Sequence, residues 1–148
     1  MDRETTEVEI AAYAGANADI ALGYALIETL HVFIEKCKEL NIDSMSDIIN
    51  IDFSLEVLRN LKNLPDAMIL HRGVDEENFN PESEILYYEI HRIKEHYDIL
   101  VSVSGGDTFQ EVQKAVFNDA DIIVAWKHFY KSSKGVVKLA QVFLNEIR

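Results

Sequence analysis

Near the middle of the chain Met68-Ile69-Leu70 runs straight into His71-Arg72-Gly73, and three acids, Asp75, Glu76 and Glu77, follow. A short apolar run bounded by polar residues reads as a buried strand. Its end therefore meets a polar place. Imidazole is the side chain suited to moving protons near neutral pH; a guanidinium beside it suits an anion. The pair reads either as an acid/base and anion clamp or as a hydrogen-bonded structural histidine next to a solvated arginine. Asp47, in Ser44–Asn50, would be costly if buried alone. It is expected at a strand end facing a cleft, where it would hold a metal, a sugar hydroxyl or a neighbouring lysine. Gly105-Gly106 precede a helical stretch. Bare amides and a helix N-terminus there attract phosphate, and the same glycines also serve a tight turn. Lys127, at the end of another apolar run, adds a cation.

The elements that must position these residues alternate regularly. A leading helix, 6–16, is followed by five strand-then-helix pairs. The strands are expected at 18–26, 44–50, 66–73, 98–106 and 121–126. The helices between and after them are expected at 26–42, 54–64, 80–97, 107–120 and 134–148. Asn80 and Pro81 suit an N-cap and first helical position, Thr108 and Glu111 have capping-box spacing, and Pro65 stops the second interstrand helix. Alternation at this spacing implies right-handed βαβ units and a parallel α/β sheet, its strands apolar on both faces. Ala-Asp-Ile recurs before two strands, at 18–20 and 120–122. Both a (β/α)₈ barrel and a flavodoxin-like open sheet fit, as one domain over 1–148. In either, ligands gather at the carboxyl ends of the strands, where His71, Asp47, Gly105 and Lys127 fall. His31, His91 and His96 lie on helical stretches and read as surface residues. Tyr87, Tyr88 and Tyr97 read as packing, and Cys37 as a small helix residue.

The chain has 148 residues, a net charge of −12 and a single cysteine. The acidic balance argues against nucleic acid or an anionic membrane, which need clustered cations. One cysteine makes no internal disulfide framework, which fits a reducing cytoplasm. The acidic first ten residues do not read as a signal peptide, and apolar runs fall short of the ~18 residues of a membrane span.

The order of motifs resembles the orotidine-monophosphate-decarboxylase superfamily, closest to 3-hexulose-6-phosphate synthase and 3-keto-L-gulonate-6-phosphate decarboxylase. "LHRGVDEE" is similar to that family's H-x-G-x-D-x-Q, "SDIIN" to V-D-L-I-N, "VSVSGGD" to V-A-V-A-G-G-I, and "ADIIVAWK" to A-D-I-V-V-V-G-R. The resemblance implies strands four to eight of a (β/α)₈ TIM barrel, without the first three. It implies a carbon–carbon lyase that acts on a sugar phosphate through a Mg²⁺-stabilised enediolate. His71 would assist proton transfer. Asp2 would reach a neighbouring subunit's site. Asp47 would lie by the metal, and Arg72, Gly105, Gly106 and Lys127 would meet the substrate and its phosphate.

The chain also departs from the family. Trp126 stands for a glycine, Lys127 for an arginine, and Asp107 for an apolar residue beside the phosphate. These changes favour the alternative, a catalytically inactive homologue serving as a subunit or binding module. Five units do not close an eight-stranded barrel, and open sheet edges invite association. A homodimer that completes the sheet, a separate chain supplying the missing units, or an open five-stranded parallel sheet is expected.

Overall fold

A computed structural model describes residues 3–49, 51, 53–73, 85, 87–105, 108–125, 129 and 135–146. Helix α1 (Arg3–Tyr13) leads into β1 (Ala18–Leu22). Then come α2 (Ile27–Glu39), β2 (Asp43–Asp47), α3 (Ser54–Asn60) and β3 (Ala67–His71). They are followed by α4 (Tyr88–His96), β4 (Leu100–Ser104), α5 (Phe109–Phe117), β5 (Ile122–Val124) and α6 (Val136–Glu146). The strands pair in parallel in the order β1-β2-β3-β4-β5. Each strand lies beside its successor, with no reversal of order. A flavodoxin-like sheet requires such a reversal. Consecutive order with helical crossovers is that of a barrel wall. The fold is thus α/β, five βα units of a TIM barrel.

Side chains alternate across the wall. On one face, Met68 and Leu70 of β3 and Val101 and Val103 of β4 pack against Leu30, Phe33 and Ile34 of α2, Leu58 of α3, and Ile90 and Ile93 of α4. This is the helix-facing side and holds the main core. A second cluster joins Val112, Leu139 and Phe143, with the rings of Phe109 and Phe143 stacked at 4.4 Å. On the other, inner face the register sets Leu22, Asp47, Ile69, Ser102 and Ile122 side by side across all five strands. One layer nearer the carboxyl ends come His71, Ser104 and Val124.

The foot of the ladder repeats one device. Asp66 donates its amide to Ser44 O (2.9 Å), and its carboxylate accepts the Ser44 amide (2.8 Å). Asp121 does the same to Val101, at 2.9 and 2.8 Å. Each aspartate stands just before its strand and clips the preceding one.

Several expectations need correction. β2 begins at Asp43 and ends at Asp47 rather than running 44–50, because Asp47 Oδ1 accepts the Ile49 amide (2.9 Å) and turns the chain. It is not apolar on both faces either: Ser44 and Ser46 are buried beneath the helices. α3 stops at Asn60, short of Pro65. Asn80 and Pro81 lie outside the described residues. Not foreseen was Glu89, a buried carboxylate of α4 held by Ser54 Oγ of α3 and by Arg92. No helix among the described residues is long and apolar enough to cross a membrane.

Candidate functional site at the strand ends

Asp47, His71 and Ser104 are the last residues of β2, β3 and β4, and all three side chains belong to the inner face. The turn after β1 closes against them: Gly23 donates its amide to Asp47 O (2.7 Å), and a Cβ on Gly23 would stand 3.2 Å from that same oxygen. That approach favours glycine.

His71 Nδ1 lies 2.8 Å from Asp47 Oδ2. A carboxylate accepts only, so Nδ1 carries the proton and Nε2 is left to exchange one. Asp47 Oδ1 already takes the Ile49 amide. The carboxylate is therefore fixed on both oxygens, and it fixes the ring. The side chains are 29% and 14% exposed, so the pair is sheltered and still reachable.

Arg72 goes the other way. By strand alternation its side chain follows Leu70 to the helix side. There its Nη1 lies 4.0 Å from Glu111 Oε1 of α5, and it is 9% exposed. Its amide donates to Ser104 O (3.1 Å), extending the ladder one step past His71. Gly105 follows at φ +95°, and a Cβ there would stand 2.6 Å from Arg72 O. The turn delivers the chain to the N-terminus of α5. There Thr108 Oγ1 accepts the Glu111 amide (3.2 Å), and the Glu111 carboxylate accepts the Thr108 amide (2.8 Å).

Of the residues singled out in the sequence, the structure brings together His71, Asp47 and the Gly105 turn. It sets Arg72 against α5. Asp2, Gly106 and Lys127 lie outside the described residues, as do Asn50, Asp107 and Trp126. Sequence reasoning set Ser104 at the end of the fourth strand without giving it a role; the register places it beside His71 on the inner face. Its signal was the Val-Ser-Val-Ser alternation ahead of the glycines.

The described residues do not by themselves make the Mg²⁺ site that the resemblance implies. Both Asp47 oxygens are engaged by His71 and Ile49. No group of three His, Cys, Asp or Glu suited to a metal occurs among the described residues. A cavity of about 530 Å³ opens nearby, lined by Gly23, Tyr24, Ile51, Phe53 and Glu56 among others. His71 and Asp47 do not line it.

No family model matches the chain. Over its whole length the chain is 36% identical to a bifunctional enzyme Fae/Hps of Methanothrix thermoacetophila, and over 99% of its length 32% identical to that of Methanosarcina barkeri. It spans 37% and 36% of those relatives. Its fold matches 3-hexulose-6-phosphate synthase from Salmonella typhimurium with a TM-score of 0.82 at 22% identity, covering 99% of this chain and 70% of that one. It also matches KGPDC from Streptococcus mutans, with a TM-score of 0.76 at 17% identity, covering 99% of this chain and 67% of that one. Along its whole length the chain is thus similar in sequence to part of the bifunctional enzymes Fae/Hps, and its fold is that of the 3-hexulose-6-phosphate synthase and KGPDC structures.

Proposed function

We propose that the chain contributes the proton-transferring half of a sugar-phosphate lyase site of the 3-hexulose-6-phosphate synthase type. The observation that carries this reading is the 2.8 Å contact between His71 Nδ1 and Asp47 Oδ2 at the carboxyl ends of adjacent strands. With Nδ1 held by the carboxylate, Nε2 takes the proton from the carbon next to the ketose carbonyl and leaves an enediolate. The enediolate carbon attacks the aldehyde, and the new alkoxide takes a proton in turn. The reverse order cleaves the same bond. The phosphate is read at the Gly105 turn and the N-terminus of α5, a helix end that favours anions. Gly106 and Lys127 belong to the same reading, as does Asp2 for the neighbouring subunit's site. A Mg²⁺ on the enediolate would draw further ligands from beyond the described residues.

Completion of the wall belongs to this reading. A closed barrel of this kind has eight strands, and five lie among the described residues. We propose that the rest of the wall comes from outside the described residues. The test is formation of hexulose 6-phosphate from formaldehyde and ribulose 5-phosphate with Mg²⁺. Turnover that disappears in His71→Ala supports the reading. Absence of turnover in the parent, alone and with the missing units supplied, discards it in favour of an inactive subunit.

A further inference from the structure

Beside the strand-end pair the fold builds a second concave place, which the lyase reading leaves unused. Gly23, Tyr24 and Leu30 on the side of β1 and α2, and Phe53, Glu56 and Asn60 on the side of α3, line a cavity of about 530 Å³. That volume is in the range of small-molecule sites. Both walls are fixed from behind. Gly23 donates its amide to Asp47 O at 2.7 Å. Ser54, the first residue of α3, donates its hydroxyl to the buried Glu89 of α4. The concavity therefore rests on bonds that need no ligand.

Its chemistry is one-sided. Leu30 is buried and gives an apolar floor, while Tyr24 and Phe53 are 63% and 64% exposed. Two exposed rings at one cavity are unfavourable in water and mark a recognition surface. Among the described residues of the lining, Glu56 is the one charged side chain. Asn60 turns Nδ2 back onto Glu56 O at 2.9 Å, so Oδ1 is the end it offers to a ligand. An anion meets no Lys, Arg or His among these lining residues. A cation meets a carboxylate, an amide oxygen and aromatic rings, whose faces attract positive charge.

We propose that this cavity binds a small organic cation, a substituted ammonium whose alkyl groups lie against Tyr24 and Phe53 and whose charge is met by Glu56. The site goes beyond the lyase reading and does not depend on it. It lies within β1 to α3 and needs neither turnover nor a phosphate.

The probe is choline, compared with its neutral isostere in which carbon replaces the nitrogen. Each is titrated into the full 148-residue chain and followed by amide and aromatic NMR shifts. Choline is expected to give saturable shifts at Gly23, Tyr24 and Phe53, and to bind about tenfold or more tightly than the isostere. Glu56→Gln should erase that preference. Phe53→Leu should weaken choline about threefold or more. Both positions are exposed, so the fold is kept. Glu95→Gln removes an equal charge from an exposed position of α4 that does not line the cavity, and it should bind as the parent does. Shifts that never saturate overturn the inference. So does equal binding of the isostere, a preference that survives Glu56→Gln, or a loss in Glu95→Gln as large as in Glu56→Gln. Saturation of the same residues by inorganic phosphate in place of choline overturns it as well.

Discussion

His71 leans back one layer to reach Asp47. The register sets Asp47 opposite Ile69 and His71 opposite Ser104, yet His71 Nδ1 and Asp47 Oδ2 meet at 2.8 Å across 24 residues of sequence. The contact selects one tautomer and one ring orientation. It also leaves each Asp47 oxygen with one hydrogen bond already made, the other being the Ile49 amide.

Asp47→Asn tests whether orientation matters to the chemistry. An amide nitrogen presented to Nδ1 favours the opposite tautomer, while volume and fold are kept. We expect kcat to fall on the order of 100-fold with KM little changed, within the span usual for general acid–base catalysis. Nitrogen NMR of His71 should show the proton moving from Nδ1 to Nε2. An unchanged tautomer, or a loss confined to KM, would show that Asp47 acts on the substrate and not through His71.

Gly105→Ala tests the close approach between the ends of β3 and β4. The added Cβ meets φ +95° and a backbone oxygen, Arg72 O, at 2.6 Å. Neither yields as a flexible side chain would. A loss of about 1–3 kcal/mol in urea unfolding is expected, the scale of a strained backbone position. Stability equal to the parent would mean that this turn relaxes freely.

How much of this could be read in advance differs by element. Strand-then-helix alternation is a local signal. It predicted all five βα units, and the Thr108–Glu111 box stands as read. His71 beside a strand end was legible because an imidazole after Met68-Ile69-Leu70 has no place in an apolar core. The direction of Arg72 was not read, although it follows from the same alternation, because the guanidinium suggested an anion before its face was considered. β2 was misjudged because its buried serines make an amphipathic pattern on a strand covered by helices. Glu89 was invisible: its partner Ser54 lies 35 residues away, and only packing of α3 on α4 brings them together. The choice between barrel and open sheet depended on strand order, which periodicity does not encode.

Thr108→Ala removes the side-chain half of the cap on α5. The hydroxyl accepts the Glu111 amide at 3.2 Å, and its loss orphans that donor. A cost of about 1 kcal/mol is expected. Thr108→Ser should recover most of it, since the oxygen is kept. Because Glu111 also faces Arg72 at 4.0 Å, fraying of this first turn should speed amide exchange at Ser104 and Arg72. Fast exchange confined to α5 would mean the helix start and the site are independent.

Cys37 gives the pH-dependent test. It is fully buried in α2, and burial pushes its thiol from an ordinary 9.0 up to about 11, with the charges of Asp19 and Asp66 adding to the shift. The folded state therefore keeps a proton that the unfolded chain has begun to lose. Below pH 9 both states hold it, and this thiol gives stability no pH dependence. Between pH 9 and about 11 unfolding releases the proton, so its contribution to stability falls as pH rises. Cys37→Ala should flatten that part of the curve, measured as urea midpoints from neutral pH to about 10.5, although its midpoint at neutral pH will be lower for the lost packing. At neutral pH the native thiol should react with a disulfide reagent only as fast as the chain opens, so labelling should accelerate in step with unfolding in urea. Rapid labelling of the folded chain at neutral pH, or a parent and variant whose midpoints fall in parallel above pH 9, would place Cys37 in contact with solvent.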